Sequence, residues 1–250
     1  MAGTAPIRLG ISCCLLGDPV RYDGGHKYND YLVNGLGRQV EWVPVCPEVE
    51  AGLDTPREPM QLVSRTKTLR LVTIESRRDL TAALRRFSVS RLKELEQLDL
   101  SGYVFKARSP SCGVNDVPLH DRHGKAQGMG AGLFARAFQK HFPLIPIADE
   151  GRLAHSAHRQ RFLEEVSGYH RWKQYSKRSV TQQSLGRFHR AQAALLRSRN
   201  PRQYDALSRL VAQSARYSAK ELAARYGRAF MKVLRSPTRA AGTRQKKETG

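Results

Sequence analysis

The stretch Leu9–Lys27, which decides the fold prediction, reads LGISCCLLGDPVRYDGGHK. An apolar run, Ile7–Leu16, is bounded by turn residues and matches the length of a buried strand better than that of a helix. Gly17-Asp-Pro19 then ends it. Because side chains alternate along a strand, Cys13 and Cys14 are expected on opposite faces, and at most one of them should face a given site.

The loop that follows this strand concentrates ionisable side chains. Arg21, Asp23 and Lys27 lie in it, and Gly24-Gly25 allows the backbone to turn tightly. Ionisable groups beside cysteines indicate a chemical site. A hydrated surface loop next to two buried cysteines is the alternative interpretation.

The composition indicates a globular protein with a real core. The chain has 250 residues, of which 40% are hydrophobic. No stretch reaches the length of a membrane span, and the first residues lack the basic and apolar regions of a secretory signal. We therefore expect a cytoplasmic enzyme with no membrane partner. Its four cysteines, all before residue 113, are then expected to be buried, catalytic or metal-bound rather than paired.

Positive charge is concentrated in the second part of the chain. Residues 151–250 hold 23 Lys and Arg against 5 Asp and Glu, a net charge of +18, whereas residues 1–150 have a net charge of +3. Such asymmetry predicts two units, of which the second meets a polyanion. Interleaved aromatic residues favour nucleic acid, although a soluble basic surface is the alternative.

Two later strands repeat the pattern of the first. Val40–Glu48 and Gly102–Gly113 read as strands that run into turns containing Cys46 and Cys112. Apolar residues at helical spacing predict helices at 76–98 and 133–141. Residues 51–68 and 114–127 have mostly loop composition, and Thr68–Ile74 alternates weakly like an exposed strand. Strands alternating with helices predict an α/β fold with a mainly parallel, Rossmann-like sheet covered by helices.

From Tyr169 onward the pattern is only helical, which predicts a smaller all-α basic domain. In the last helix Leu222, Tyr226, Phe230 and Val233 form one buried stripe. Arginines between the stripes are expected to be exposed and to contact RNA phosphates: Arg187, Arg190, Arg197, Arg199 and Arg209. The predicted domains are 1–150 and 151–235, followed by a disordered tail at 236–250.

The cysteine spacing alone leaves the metal question open. Cys14, Cys46 and Cys112 are 32 and 66 positions apart, far from the close pairs of structural zinc sites. Three cysteines at the ends of parallel strands would converge at one sheet edge, where soft thiolates suit an iron–sulfur cluster with one iron lacking a protein ligand. Three unrelated buried cysteines are the alternative.

Four ordered strings resemble the thiouracil desulfidase (TudS) family. They are Ser12–Gly17 (SCCLLG), Val20–Gly24 (VRYDG), Cys46–Glu48 (CPE) and Ser109–Gly113 (SPSCG). The resemblance covers about residues 5–150. The basic part bears a looser resemblance to the domain appended in the RudS group, which removes sulfur from 4-thiouridine in tRNA. This second resemblance rests on Tyr169–Lys173, Phe188–Arg190 and the helices that follow.

The resemblance implies a site as well as a fold. It assigns Cys14, Cys46 and Cys112 as ligands of a 4Fe-4S cluster whose fourth iron takes the substrate sulfur, and it places Cys13 where the family usually has a small residue. Glu48 and Ser109 match the family's residues for proton transfer and water activation.

Further site residues follow from position. Asp23 is an additional catalytic candidate, and Arg21, Lys106 and Arg108 are candidates for orienting the nucleotide. Surface lysine and arginine at a strand edge are the alternative interpretation of these three cations.

The sequence thus predicts an enzyme that removes sulfur from thiolated uracil without redox change, with 4-thiouridine in tRNA as the expected substrate. Iron would act as Lewis acid while a base activates water. Two alternatives stay open: a desulfidase for free thiouracil bases, and a non-catalytic basic RNA-binding protein with a structural metal.

Overall fold

The computed structural model describes residues 6–65, 68–178 and 180–237. The chain divides into two compact units between Leu163 and Glu164. Most of the predicted disordered tail, from residue 238 onward, lies outside the described residues. Within the described ranges no helix combines the length and the apolar character needed to cross a membrane.

The first unit alternates strands and helices. Its strands are β1 Arg8–Ser12, β2 Glu41–Val45, β3 Met60–Arg65, β4 Thr68–Thr73, β5 Gly102–Phe105, β6 Val117–His120, β7 Ala126–Gly130 and β8 Ile147–Asp149. Its helices are α1 Pro47–Glu50, α2 Thr81–Gln97, α3 Leu133–His141 and α4 Glu150–Leu153. Helix α5, Ser156–Ser176, contains the division between the units.

The first sheet is wholly parallel and has the order β2-β1-β5-β8. Strand β1 lies between β2 and β5, with Ser12 in register with Val45 and Ile11 with Val104. The α/β prediction with a mainly parallel sheet is therefore confirmed. The predicted strands end earlier than expected, at Ser12, Val45 and Phe105, so each cysteine lies in the turn beyond its strand. These turns meet at one edge, because parallel strands share their carboxyl ends.

Of the second sheet, β4-β3-β6-β7, only β4 is predicted from the sequence, by the weak alternation over Thr68–Ile74. The sheet consists of two antiparallel pairs, β3–β4 and β6–β7, joined by parallel pairing of β3 with β6. Loops were expected over 51–68 and 114–127, where β3, β6 and the first two residues of β7 lie. Strand β7 reads AQGMG and is largely exposed, so it has no alternating apolar pattern, and backbone pairing with β6 alone defines it.

An aromatic cluster joins the first sheet to α3. Tyr103 and Phe105 of β5 and Phe134 and Phe138 of α3 are fully buried. The Tyr103 and Phe105 rings are stacked 4.0 Å apart, and Phe138 meets Phe105 edge-on at 5.4 Å. Burying four aromatic side chains dominates the local packing energy, at very roughly 2 kcal/mol each. Helix α3 has the predicted bounds, Leu133–His141.

The second unit is helical throughout its described part. Its later helices are α6 Gln182–Ala191, α7 Ala193–Arg199, α8 Pro201–Ala212 and α9 Ala219–Leu234. Capping boxes begin α6 at Thr181 and α9 at Ser218. The predicted stripe of α9 is buried, with Tyr226 against Trp172 at 5.0 Å and Phe230 against Phe188 at 5.6 Å between ring centroids.

Candidate active site at the carboxyl edge of the first sheet

The turns after β1, β2 and β5 enclose a cavity of about 220 Å³. Cys14, Cys46 and Cys112, one from each turn, all line it. Cys14 and Cys112 are buried and Cys46 is half-buried. The structure therefore brings together the three cysteines that the sequence analysis selected.

Cys13 lines the same cavity, which corrects the prediction that at most one of the adjacent cysteines would face a site. The prediction assumed that the strand continued to Leu16. Instead Cys13–Leu15 form one turn of 3-10 helix after β1, so strand alternation does not apply to them. Burial still separates the two, because Cys14 is buried and Cys13 is half-buried.

A carboxylate and an arginine hold the Cys46 turn in place. The Cys46 amide donates to Glu50 Oε1 at 2.6 Å. Glu50 in turn pairs with Arg91 of α2, whose Nη2 also donates to the Pro44 carbonyl at 3.3 Å. Arg91 thus joins α2 to the end of β2, directly before the cysteine.

The Cys112 turn is held by Ser109 and by the start of α3. The Ser109 hydroxyl accepts hydrogen bonds from the amides of Ser111 at 3.2 Å and Cys112 at 3.1 Å. The Gly132 amide donates to the Gly113 carbonyl at 2.8 Å. A Cβ on Gly132 would lie 2.5 Å from the Ser111 carbonyl, so only glycine allows this approach of α3 to the turn.

Glu48 and Ser109, predicted as catalytic, both line the cavity. Ser109 Oγ lies 3.5 Å from Glu48 Oε1, longer than a normal hydroxyl–carboxylate hydrogen bond of about 2.7 Å. The other carboxylate oxygen, Oε2, forms an ion pair with Arg57. Arg57 also lines the cavity and was missed, because its loop has turn composition, with Pro56 and Pro59, and nothing in the pattern marks a buried arginine.

Of the predicted nucleotide-orienting cations, Lys106 is the most constrained. It lines the cavity, and its ammonium pairs with Glu150 and donates to the Ala107 carbonyl at 2.9 Å. The second Glu150 oxygen accepts from the Ala107 amide at 2.7 Å. Glu150, the first residue of α4 and directly after β8, is a further residue that the sequence analysis missed.

Arg21 and Arg108 also line the cavity, whereas Asp23 is not among the lining residues of the described chain. Asp23 is exposed and forms two hydrogen bonds with the Arg21 guanidinium, at 3.0 and 3.2 Å. These bonds hold the pKa of Asp23 below its usual value. Arg108 is exposed, and its backbone has a left-handed φ of 59°. Its amide is held there by Asp116.

Burial controls the protonation of the cysteines. Desolvation raises the pKa of Cys13 and of Cys14 to about 12, and it also raises the pKa of Cys46 and of Cys112. A metal that binds these sulfurs must therefore displace their protons. Across the described ranges, no three His, Cys, Asp or Glu side chains are grouped closely enough to hold a single metal ion.

In the second unit most of the predicted RNA-contacting arginines are exposed. These are Arg187, Arg190, Arg197 and Arg209. The expected exposure of Arg199 is wrong: its side chain is buried and forms an ion pair with Glu164 of α5. Position in a helical pattern does not reveal such a pair, because Glu164 lies 35 residues earlier in the chain.

A family model described as 2-thiouracil desulfurase matches residues 9–150. The chain belongs to this family. The match contains all the cavity-lining residues, so the first unit is a thiouracil desulfidase domain. A second family model, described as a protein of unknown function (DUF1722), matches residues 194–245, part of which lies outside the described residues.

Two individual proteins resemble the desulfidase domain. The uncharacterized protein YbbK of Bacillus subtilis (strain 168) is 31% identical over 136 residues, covering 51% of this chain and 89% of YbbK. A solved structure of the [4Fe-4S]-dependent thiouracil desulfidase TudS is 30% identical, with a TM-score of 0.49, and covers 60% of this chain and 95% of its own.

We predict that Cys14→Ala, Cys46→Ala and Cys112→Ala each lose the iron–sulfur cluster, because each removes a thiolate from the cavity. Cys13→Ala is the matched control and should keep the cluster, since the family pattern places its first ligand at Cys14. Iron and acid-labile sulfide per chain after anaerobic reconstitution measure the outcome. Cluster lost in Cys13→Ala and kept in Cys14→Ala would contradict the assignment.

Proposed function

We propose that this protein removes sulfur from thiolated uracil by a non-redox reaction, and that its substrate is 4-thiouridine in tRNA, which becomes uridine. One observation carries the proposal. Cys14, Cys46 and Cys112 line the same cavity as Glu48 and Ser109. Three sulfur donors and two residues that can transfer protons therefore line one cavity of about 220 Å³.

The sulfur donors at the cavity fit a 4Fe-4S cluster in their chemistry. Thiolates are the preferred ligands of such clusters. When bound, the cluster would supply a Lewis-acidic iron for a sulfur ligand.

Glu48 is the proposed base of the reaction. Conversion of C=S to C=O consumes one water and releases hydrogen sulfide, so a group in the cavity must accept a proton from that water. The Glu48 side chain is 13% exposed, and its Oε2 is occupied by Arg57. Its Oε1 remains beside Ser109, where it would accept the proton.

Ser109 is proposed to direct that oxygen and to pass on its proton. Its hydroxyl oxygen already accepts two amide hydrogens, from Ser111 and Cys112. The hydroxyl hydrogen is thereby left to donate, and Glu48 Oε1 lies on that side at 3.5 Å.

The charge of the cavity lining supports a phosphate-bearing substrate. The lining cations are Arg21, Lys27, Arg57, Lys106 and Arg108, and Glu48 is the one acidic lining residue of the described chain. Three of the cations have acidic partners. Lys27 and Arg108 are exposed, and within the described ranges their side chains pair with no carboxylate, which suits them to a phosphate.

The second unit supports RNA rather than a free base. Residues 151–250 carry a net charge of +18, and Arg187, Arg190, Arg197 and Arg209 are exposed. A polyanion would gain from such a surface through counterion release, whereas free thiouracil has no phosphate to offer.

We predict that Glu48→Gln and Ser109→Ala retain the cluster but release sulfide at least about 100-fold more slowly, because each removes one proton-handling group. Glu41→Gln is the control, since Glu41 is exposed on β2 and pairs with Arg8. Sulfide release per cluster from anaerobic protein is the measurement. Normal release by Glu48→Gln would remove Glu48 from the chemistry, and no release by the unaltered protein would favour an inert metal site.

We predict that reversing Arg187, Arg190 and Arg209 to Glu weakens tRNA binding strongly. The slope of log affinity against log salt concentration should become shallower by roughly 2–3, because about three phosphate contacts are lost. Turnover of free 4-thiouracil should not change. Reversing exposed Arg38, Lys93 and Lys140 of the first unit alters the net charge equally and serves as the control. Unchanged tRNA binding and desulfuration in the first variant would favour the free-base enzyme.

A further inference from the structure

Arg57 is buried in the wall of the active-site cavity, yet no motif marked it. It lies in the loop between α1 and β3, and its side chain is 8% exposed. Its Nε is buried without a hydrogen-bond partner among the described residues, whereas both terminal nitrogens are hydrogen-bonded within the protein. The acceptors of the terminal nitrogens show which segments Arg57 holds together.

The two terminal nitrogens of Arg57 serve four acceptors. Nη1 donates to the Asp54 carbonyl and to Thr55 Oγ1, both at 3.0 Å, which fixes Arg57 within its own loop. Nη2 donates to the Val20 carbonyl at 3.0 Å and to Glu48 Oε2. The Arg57 amide also donates to the Tyr22 carbonyl at 2.8 Å.

Arg57 therefore connects three separate segments at the cavity: its own loop, helix α1 through Glu48, and the loop after β1 through Val20 and Tyr22. Val20, Tyr22 and Glu48 themselves line the cavity. One side chain thus fixes the position of the Glu48 carboxylate relative to the wall opposite it.

The contact also distinguishes the two oxygens of Glu48. Oε2 is taken by Arg57, while Oε1 lies beside Ser109 at 3.5 Å. With Oε2 held, rotation of the carboxylate would cost the ion pair, so Oε1 stays directed at Ser109.

We propose that Arg57 is the positioning residue of this site, acting through Glu48: it clamps Oε2 so that Oε1 is the oxygen that handles the proton. This inference rests on the proposed function. The planar fork of arginine suits the task, because one lysine nitrogen cannot reach the Asp54, Thr55, Val20 and Glu48 acceptors together. Arg57→Lys should therefore restore only part of what Arg57→Met loses.

The test is a double-mutant cycle on the full chain after anaerobic reconstitution to equal iron content. Arg57→Met should lower kcat by about 30-fold or more and change KM by less than about 3-fold, because the variant loses the orientation of the Glu48 carboxylate and not a contact with the substrate. Arg57→Met with Glu48→Gln should be no slower than Glu48→Gln alone. Arg70→Met, which breaks an exposed pair with Asp79, is the control and should leave kcat unchanged.

The proposal would be overturned if Arg57→Met kept the kcat of the unaltered protein. It would also be overturned if adding Arg57→Met to Glu48→Gln lowered kcat by the same factor as Arg57→Met does alone. A purely structural role would lower iron content and melting temperature without a specific loss of kcat, and would overturn it as well.

A second cycle, in thermal unfolding, does not need activity. If Arg57 clamps Glu48, the double variant should melt no lower than the less stable single variant. Additive losses would overturn the clamp. Absence of sulfide release from the unaltered protein would refute the proposed function instead, and the thermal cycle would still decide whether Arg57 holds Glu48.

Discussion

Parallel pairing of β1 with β2 and β5 is the constraint on which the site depends. The register of Ser12 with Val45 and of Ile11 with Val104 places three carboxyl ends side by side. Each strand stops just before its cysteine turn, so the distance between cysteines in sequence becomes irrelevant. The aromatic core of β5 and α3 then fixes the third turn, because the same helix that packs on Phe105 begins against Ser111 and Gly113.

Around these turns, three ion pairs fix the geometry of the site. Arg91 and Glu50 hold the Cys46 turn, Lys106 and Glu150 hold the end of β5, and Arg57 holds Glu48. Exposed pairs contribute little to stability, but removing one partner of a largely buried pair, such as Arg57–Glu48 or Lys106–Glu150, is strongly destabilising. The cavity wall is accordingly expected to be rigid before any substrate arrives.

Sequence reasoning recovered what local pattern determines. The three strands that lead to the cysteines, helix α3 and the buried stripe of α9 all follow from periodicity and turn residues. It missed what only tertiary pairing determines: strand β7, which has no apolar alternation, and the burial of Arg199 against Glu164. In the site, short motifs identified Glu48 and Ser109, but Arg57 and Glu150 are visible only through contacts distant in sequence.

The most direct test of this account is a single turnover of 4-thiouridine tRNA by anaerobically reconstituted protein in ¹⁸O-labelled water without reductant. We expect one sulfide to be released and one labelled oxygen to enter each uridine formed, because water replaces sulfur and no electrons are exchanged. Failure to release sulfide, or release that requires a reductant and leaves the product unlabelled, would contradict a hydrolytic desulfidase site built on Cys14, Cys46 and Cys112.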